Sequence, residues 1–174
     1  MGENKMNLLK RQSTRLENFS YSENGAYFIT ICTHNRKQIL SNVIVGTGVL
    51  DCLKIQLLNY GKIADKYIKQ LNDFYDNIAV DKYVIMPDHI HLILTVQNGQ
   101  SGTPVPTNIN SKIDNKNSQV AKFVSTFKRF CNKEYGENIW QARYYDHIIR
   151  NEQDYNEVWE YIENNPAKWL TQEK

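Results

Sequence analysis

Asp81–Lys82–Tyr83–Val84–Ile85–Met86–Pro87–Asp88–His89–Ile90–His91–Leu92–Ile93–Leu94–Thr95–Val96 is the stretch on which the fold turns. Two apolar, β-branched runs flank Pro87–Asp88, a dipeptide suited to a tight turn, so the segment reads as a β-hairpin. His89 and His91 open its second strand. Side chains alternate along a strand, so both imidazoles share one face and Ile90 points into the other layer. Two histidines held a few ångströms apart on a rigid strand can bind one divalent metal through neutral ring nitrogens. The same spacing also fits strand-end histidines that only hydrogen-bond. The rest of the chain has to decide.

A chain of 174 residues fits one domain with a real core. It is 41% hydrophobic and has eleven tyrosines, which argues against long-range disorder. A net charge of +2 does not announce a nucleic-acid binder, so any basic surface must come from local clustering. Cys32, Cys52 and Cys131 are far apart and odd in number. They form neither a zinc spacing nor a disulfide framework and fit the reduced thiols of a cytoplasmic protein. No apolar run reaches membrane-span length, and the polar N-terminus lacks a signal-peptide pattern. Cytoplasmic location without membrane contact is the expectation.

Outward from the hairpin, residues 1–22 carry Lys5, Lys10, Arg11 and Arg15 and read as a basic arm, with a single domain over 23–174. Tyr27 to His34 is a strand with two apolar faces, hence central in a sheet. It ends in His34–Asn35–Arg36–Lys37, suited to a phosphate contact or to an ordinary solvated loop. Residues 39–58 admit a small hairpin. A helix is predicted from Asn59, which could cap it, with Ile63, Tyr67 and Leu71 as its apolar face. The Gly-, Pro-, Ser- and Asn-rich stretch 97–117 fits a mobile lid over DNA or a flexible insertion, and the insertion is the favoured reading.

Ser118 can cap the next helix. Its stripe is Val120, Val124, Phe127 and Cys131, widened by Phe123 and Phe130. Lys122, Arg129 and Lys133 line another face, with Lys128 near them, either solvated or facing phosphates. Gly136 suits the helix end. Trp140 and Gln141 read as packing and turn residues. Arg143 to Arg150 reads as a strand. Asn151 caps a last helix with Asp154 at its third position and a core stripe of Tyr155, Val158 and Ile162. Tyr161 and Asn165, four apart, share a face beside that stripe. Pro166 is predicted to stop the helix near Asn165. The element order is that of an α+β fold, the ferredoxin-like βαββαβ antiparallel sheet, with an added C-terminal helix. The helices of the repeat cover one sheet face. The other is free unless the terminal helix packs across it.

Tyr27–Phe28–Ile29–Thr30–Ile31–Cys32–Thr33, Tyr83 to His91, Trp140–Gln141, Tyr145–Asp146–His147–Ile148–Ile149–Arg150 and Tyr161–Ile162–Glu163–Asn164–Asn165–Pro166 occur in this order. Together they resemble the REP-associated tyrosine transposases, a branch of the single-tyrosine HUH transposases of the small insertion sequences. The resemblance runs from about Arg11 to Trp169. It implies the ferredoxin-like fold already reached from periodicity, with the nucleophile on the added C-terminal helix. It also implies that His89 and His91 bind a divalent metal, Mg2+ or Mn2+, that Tyr161 attacks a DNA phosphate, and that Asn165 completes the metal site. No nucleotide cofactor is needed. The implied partner is a single-stranded DNA hairpin, cut through a 5′-phosphotyrosine intermediate. The implied assembly is a monomer or a homodimer.

That chemistry is physically coherent. A metal on two histidines and one amide keeps open positions that can polarise a phosphate oxygen. Phenolate is both nucleophile and leaving group, so the step can be reversed by a free 3′-hydroxyl. Tyr145 competes with Tyr161 as nucleophile. His147 is open to orienting the phosphate or the tyrosine, or to a structural role. Asp88 stands where many relatives have asparagine and adds a carboxylate beside the histidines. Arg36, Lys37, Lys122, Lys128, Arg129 and Arg143 are the candidate DNA contacts. The competing readings are a hairpin-DNA-binding protein with little or no cleavage and a metal hydrolase acting on a small substrate.

Overall fold

The computed structural model of the chain describes residues 24–45, 53–97 and 118–172. The expected arm at 1–22 and nearly all of the expected insertion at 97–117 lie outside the described residues. Strand β1 (Gly25–Cys32) is central, as its doubly apolar sequence requires. A 3-10 turn at His34–Arg36 follows it, and the remaining elements are β2 (Ser41–Val45), β3 (Leu53–Leu57), α1 (Asn59–Phe74), β4 (Ile78–Ile85), β5 (His89–Val96), α2 (Gln119–Tyr135), β6 (Tyr145–Ile149) and α3 (Glu152–Gln172). The main sheet has the order β4-β5-β1-β6, with every pairing antiparallel. That is the ferredoxin-like arrangement. Strands β2 and β3 form a separate hairpin.

Alternation along the strands builds two apolar layers. Tyr27, Ile29 and Ile31 of β1 join Ile90, Leu92, Leu94 and Val96 of β5 against α1 and α2. Phe28, Val84, Met86, Ile93 and Ile149 face the other way and bury Ile162 of α3. The second face is therefore covered by the terminal helix. A register shift between Val80 and Lys82 inserts Asp81 as an extra residue in β4. Such a bulge re-aims the residues that follow it. Lys82 then reaches α3, ion-pairing with Glu163 at 2.8 Å and lying over the Trp159 ring at 4.1 Å. Tyr155 donates to Asp81 at 3.0 Å.

Local end signals behave as the residues predict. Ser118 accepts from the Ala121 amide at 3.1 Å, Gly136 takes a left-handed φ of 77°, and Asn151 accepts from the Asp154 amide at 2.9 Å. Two expectations are corrected. Helix α1 is preceded by Leu58 without a side-chain cap, and its buried face is Gly61, Ala64, Ile68 and Leu71. Ile63 and Tyr67 are only half-buried. The cause is close approach: a Cβ on Gly61 would stand 2.0 Å from the Leu40 carbonyl oxygen. Helix α3 does not stop at Pro166 but continues to Gln172. Proline removes one backbone hydrogen bond and crowds the preceding turn. Packing of Trp169 against the second apolar layer offsets that loss.

Leu40 also donates its amide to the Pro87 carbonyl, so the Gly61 contact lies behind the histidine turn. Gly61→Ala is expected to destabilise the fold by about 1–3 kcal/mol through overpacking. Urea unfolding, with the slope unchanged and the midpoint lowered, is the measurement.

Candidate active site

The two-residue turn at Pro87–Asp88 is closed by the Met86 amide donating to the His89 carbonyl at 2.8 Å. Thr33 fixes the turn from the neighbouring strand, its amide and hydroxyl both donating to the Asp88 carbonyl. His89 and His91 then project from β5 onto the α3 side, with ring centroids 4.4 Å apart. Cross-strand register places Thr30 beside His91 and Cys32 beside His89.

Each imidazole is held by its Nδ1. His89 Nδ1 contacts Asp88 Oδ1 at 2.5 Å, and His91 Nδ1 shares a 2.8 Å hydrogen bond with Thr30 Oγ1. Among the described residues, neither Nε2 atom has a protein partner. Burial, reinforced by His89 and Arg36, pushes His91 down to about 3, so its ring is neutral and its lone pair is available. Asp88 is itself buried and is gripped from outside by Arg36, whose Nε lies 2.8 Å from Oδ2. Arg36 also donates to Cys32 Sγ at 2.8 Å. Asn35 and Arg36 both have φ of 55°. A left-handed arginine is strained, and the grip on Asp88 holds it there.

Helix α3 closes the pocket from above. A cavity of about 190 Å³ is lined by Thr30, Arg36, His89, His91, Tyr161, Asn165, Lys168 and Trp169. The Tyr161 ring lies 5.2 Å from His91 and 5.8 Å edge-on from Phe28. Trp169 lies 5.9 Å from His89, and Asn165 is buried. The donor set fits a divalent ion: two oriented imidazoles and one amide on the same pocket. Among the described residues, no group of three or more His, Cys, Asp and Glu side chains could hold a metal. A third protein ligand here would come from another donor in the lining, such as the Asn165 amide.

The other sequence candidates are distributed differently. Tyr145 pairs with Thr30, on the pocket face of the sheet, but it is exposed and does not line the cavity. His147 also lies outside the lining; its Nε2 meets both Asp154 carboxylate oxygens at 3.1–3.2 Å and ties β6 to the start of α3. Lys37 and Arg143 are exposed. Lys122 and Arg129 are exposed on α2, across the sheet from the pocket. Lys128 turns inward and donates to the carbonyls of Gln141, Ala142 and Arg143. Trp140 is buried against Phe127, as a packing residue should be. Lys168 and Trp169 were not among the sequence candidates. The signal for them is the helical step from Tyr161, at i+7 and i+8, which a helix stopped at Pro166 cannot reach.

Burial lowers Lys128 to about 8. Its charged form is disfavoured in the fold, so its contribution to stability grows as pH rises from about 8 towards the ordinary lysine value. Lys128→Met is expected to lower stability by about 1–3 kcal/mol, through three carbonyls left without their donor. It should also flatten that alkaline rise. Denaturant midpoints of both proteins between these pH limits test both effects.

The chain resembles known proteins along most of its length. The family model described as Transposase IS200 like matches residues 21–165. An uncharacterized protein of Haemophilus influenzae is 30% identical over 168 residues, covering 91% of this chain and 89% of that one. The REP-associated tyrosine transposase of Escherichia coli is 27% identical over 154 residues, covering 87% of this chain and 73% of that one. Among solved structures, a REP-associated tyrosine transposase bound to a REP hairpin matches with a TM-score of 0.59 at 20% identity, covering 91% of this chain and 74% of that one. That likeness establishes a shared fold. Among the described residues, no helix is long and apolar enough to cross a membrane. The chain belongs to the IS200-like transposase family.

Proposed function

We propose that this protein is a metal-dependent transposase that nicks and joins single-stranded DNA at palindromic repeats folded into hairpins. One observation carries the reading: a single chain gathers His89, His91, Asn165 and Tyr161 around one pocket. Hairpin DNA as the substrate is supported by the structural neighbour, which is bound to a REP hairpin.

In this reading Tyr161 Oη attacks the scissile phosphorus. The bond to the 3′ oxygen breaks, a 5′-phosphotyrosine forms, and the phenol proton ends on the released 3′ oxygen. A later 3′-hydroxyl reverses the step and joins strands. A divalent ion held by His89, His91 and Asn165 supplies Lewis-acid polarisation of the phosphate when bound. Asp88 and Thr30 orient the two imidazoles, and Arg36 keeps Asp88 in place. The Phe28 edge and the His91 ring fix the direction of the Tyr161 ring. Lys37 and Arg143 are retained as exposed DNA contacts, while Lys128 serves the 141–143 turn.

Pooled single-stranded hairpin oligonucleotides with manganese, followed by a denaturing gel, should reveal a covalent protein–DNA adduct. Tyr161→Phe should abolish it and Tyr145→Phe should retain it. Loss only in Tyr145→Phe would move the nucleophile to β6. Hairpin binding with no adduct from wild type would favour a binding protein. Asp88→Ala should raise the manganese concentration for half-maximal adduct formation by about 10- to 100-fold, as loss of a carboxylate behind a metal-binding histidine does.

A further inference from the structure

The turns of α3 beyond Pro166 bring a cation to the pocket. Tyr161, Asn165, Lys168 and Trp169 stand at i, i+4, i+7 and i+8 and all line the cavity. Lys168 Nζ lies over the Tyr161 ring, 4.8 Å from its centre. The other cation in the lining, Arg36, is engaged by Asp88. Among the described residues, no carboxylate pairs with Lys168. Arg36 and Lys168 are the arginine and the lysine of the lining. The pocket therefore has one ammonium without a counter-ion, placed beside the tyrosine.

We propose that Lys168 holds the reacting phosphodiester by a non-bridging oxygen, on the tyrosine side of the pocket. This deepens the reading of Tyr161 as nucleophile and rests on it. The ring contact is a weak resting place for an exposed ammonium, so the side chain is free to turn to an anion. As Tyr161 Oη bonds to phosphorus and the bond to the 3′ oxygen lengthens, negative charge gathers on the non-bridging oxygens. A fixed ammonium there favours the five-coordinate state over the bound diester. Lys168 gives up no proton in this role. It also makes the turns beyond Pro166 part of the site.

The test compares wild type, Lys168→Gln, Lys168→Arg and Lys62→Gln, the last removing one charge from exposed α1. With the pooled hairpins and manganese at saturating DNA, Lys168→Gln should form adduct roughly 10- to 100-fold more slowly. Lys168→Arg should recover most of the rate, and Lys62→Gln should match wild type. In chelator, without metal, the log–log salt dependence of hairpin binding should become shallower by about 0.7 for Lys168→Gln, one single-strand phosphate contact. An unchanged rate or an unchanged salt slope overturns the proposal, as does an equal loss in Lys62→Gln. If wild type forms no adduct, the reading of Tyr161 fails and takes this one with it. If wild type reacts and Lys168→Gln reacts equally, only the role of Lys168 falls.

Discussion

The burial of Ile162 decides where the site can be. It belongs to one apolar layer with Phe28, Val84, Met86, Ile93 and Ile149, on the sheet face that the histidines share. Full burial of such a side chain contributes about 1.5–3 kcal/mol. Tyr161 is the neighbouring residue on the helix, so seating Ile162 swings the phenol towards His91. Ion pairing of Lys82 with Glu163 and the hydrogen bond from Tyr155 to Asp81 set the height of the helix along β4. Both depend on the extra residue at Asp81, which turns Lys82 to the helix side.

The histidine platform is rigid for separate reasons. Strand β5 is buried on both faces, and its first residue is already inside the ladder. Thr30 and Asp88 fix the two rings from below, and the strained Arg36 fixes Asp88 from outside. A preorganised donor pair of this kind needs no rearrangement when a ligand arrives. The helix that carries the tyrosine is held by side chains rather than by a ladder. Rigid donors below and a helix packed through its side chains above suit the proposed role of Tyr161.

What the sequence made legible was local or periodic. The alternation in β5 put both histidines on one face, and the i, i+4 step put Tyr161 and Asn165 on another. Ser118, Gly136 and Asn151 act within a few residues of themselves, so their roles could be read directly. The failures were tertiary. Spacing alone suggests Ile63 and Tyr67 for the stripe of α1, whereas Gly61, Ala64 and Ile68 face the core, with Leu40 passing close to Gly61. Pro166 signalled a helix end that packing overrides. The link from Arg36 through Asp88 to His89 joins two loops far apart in the chain, and no spacing encodes it. The inward turn of Lys128 is equally invisible in a row of basic residues on a helix.

In the proposed mechanism each chain's Tyr161 serves the histidines of its own chain. Mixing Tyr161→Phe with His91→Ala under conditions where wild type forms the hairpin adduct tests it most directly. No adduct is expected from the mixture at any ratio, because each variant lacks part of its own site. Adduct formation on mixing, carried by the His91→Ala chain, would show the tyrosine helix reaching into a partner's pocket and would contradict it.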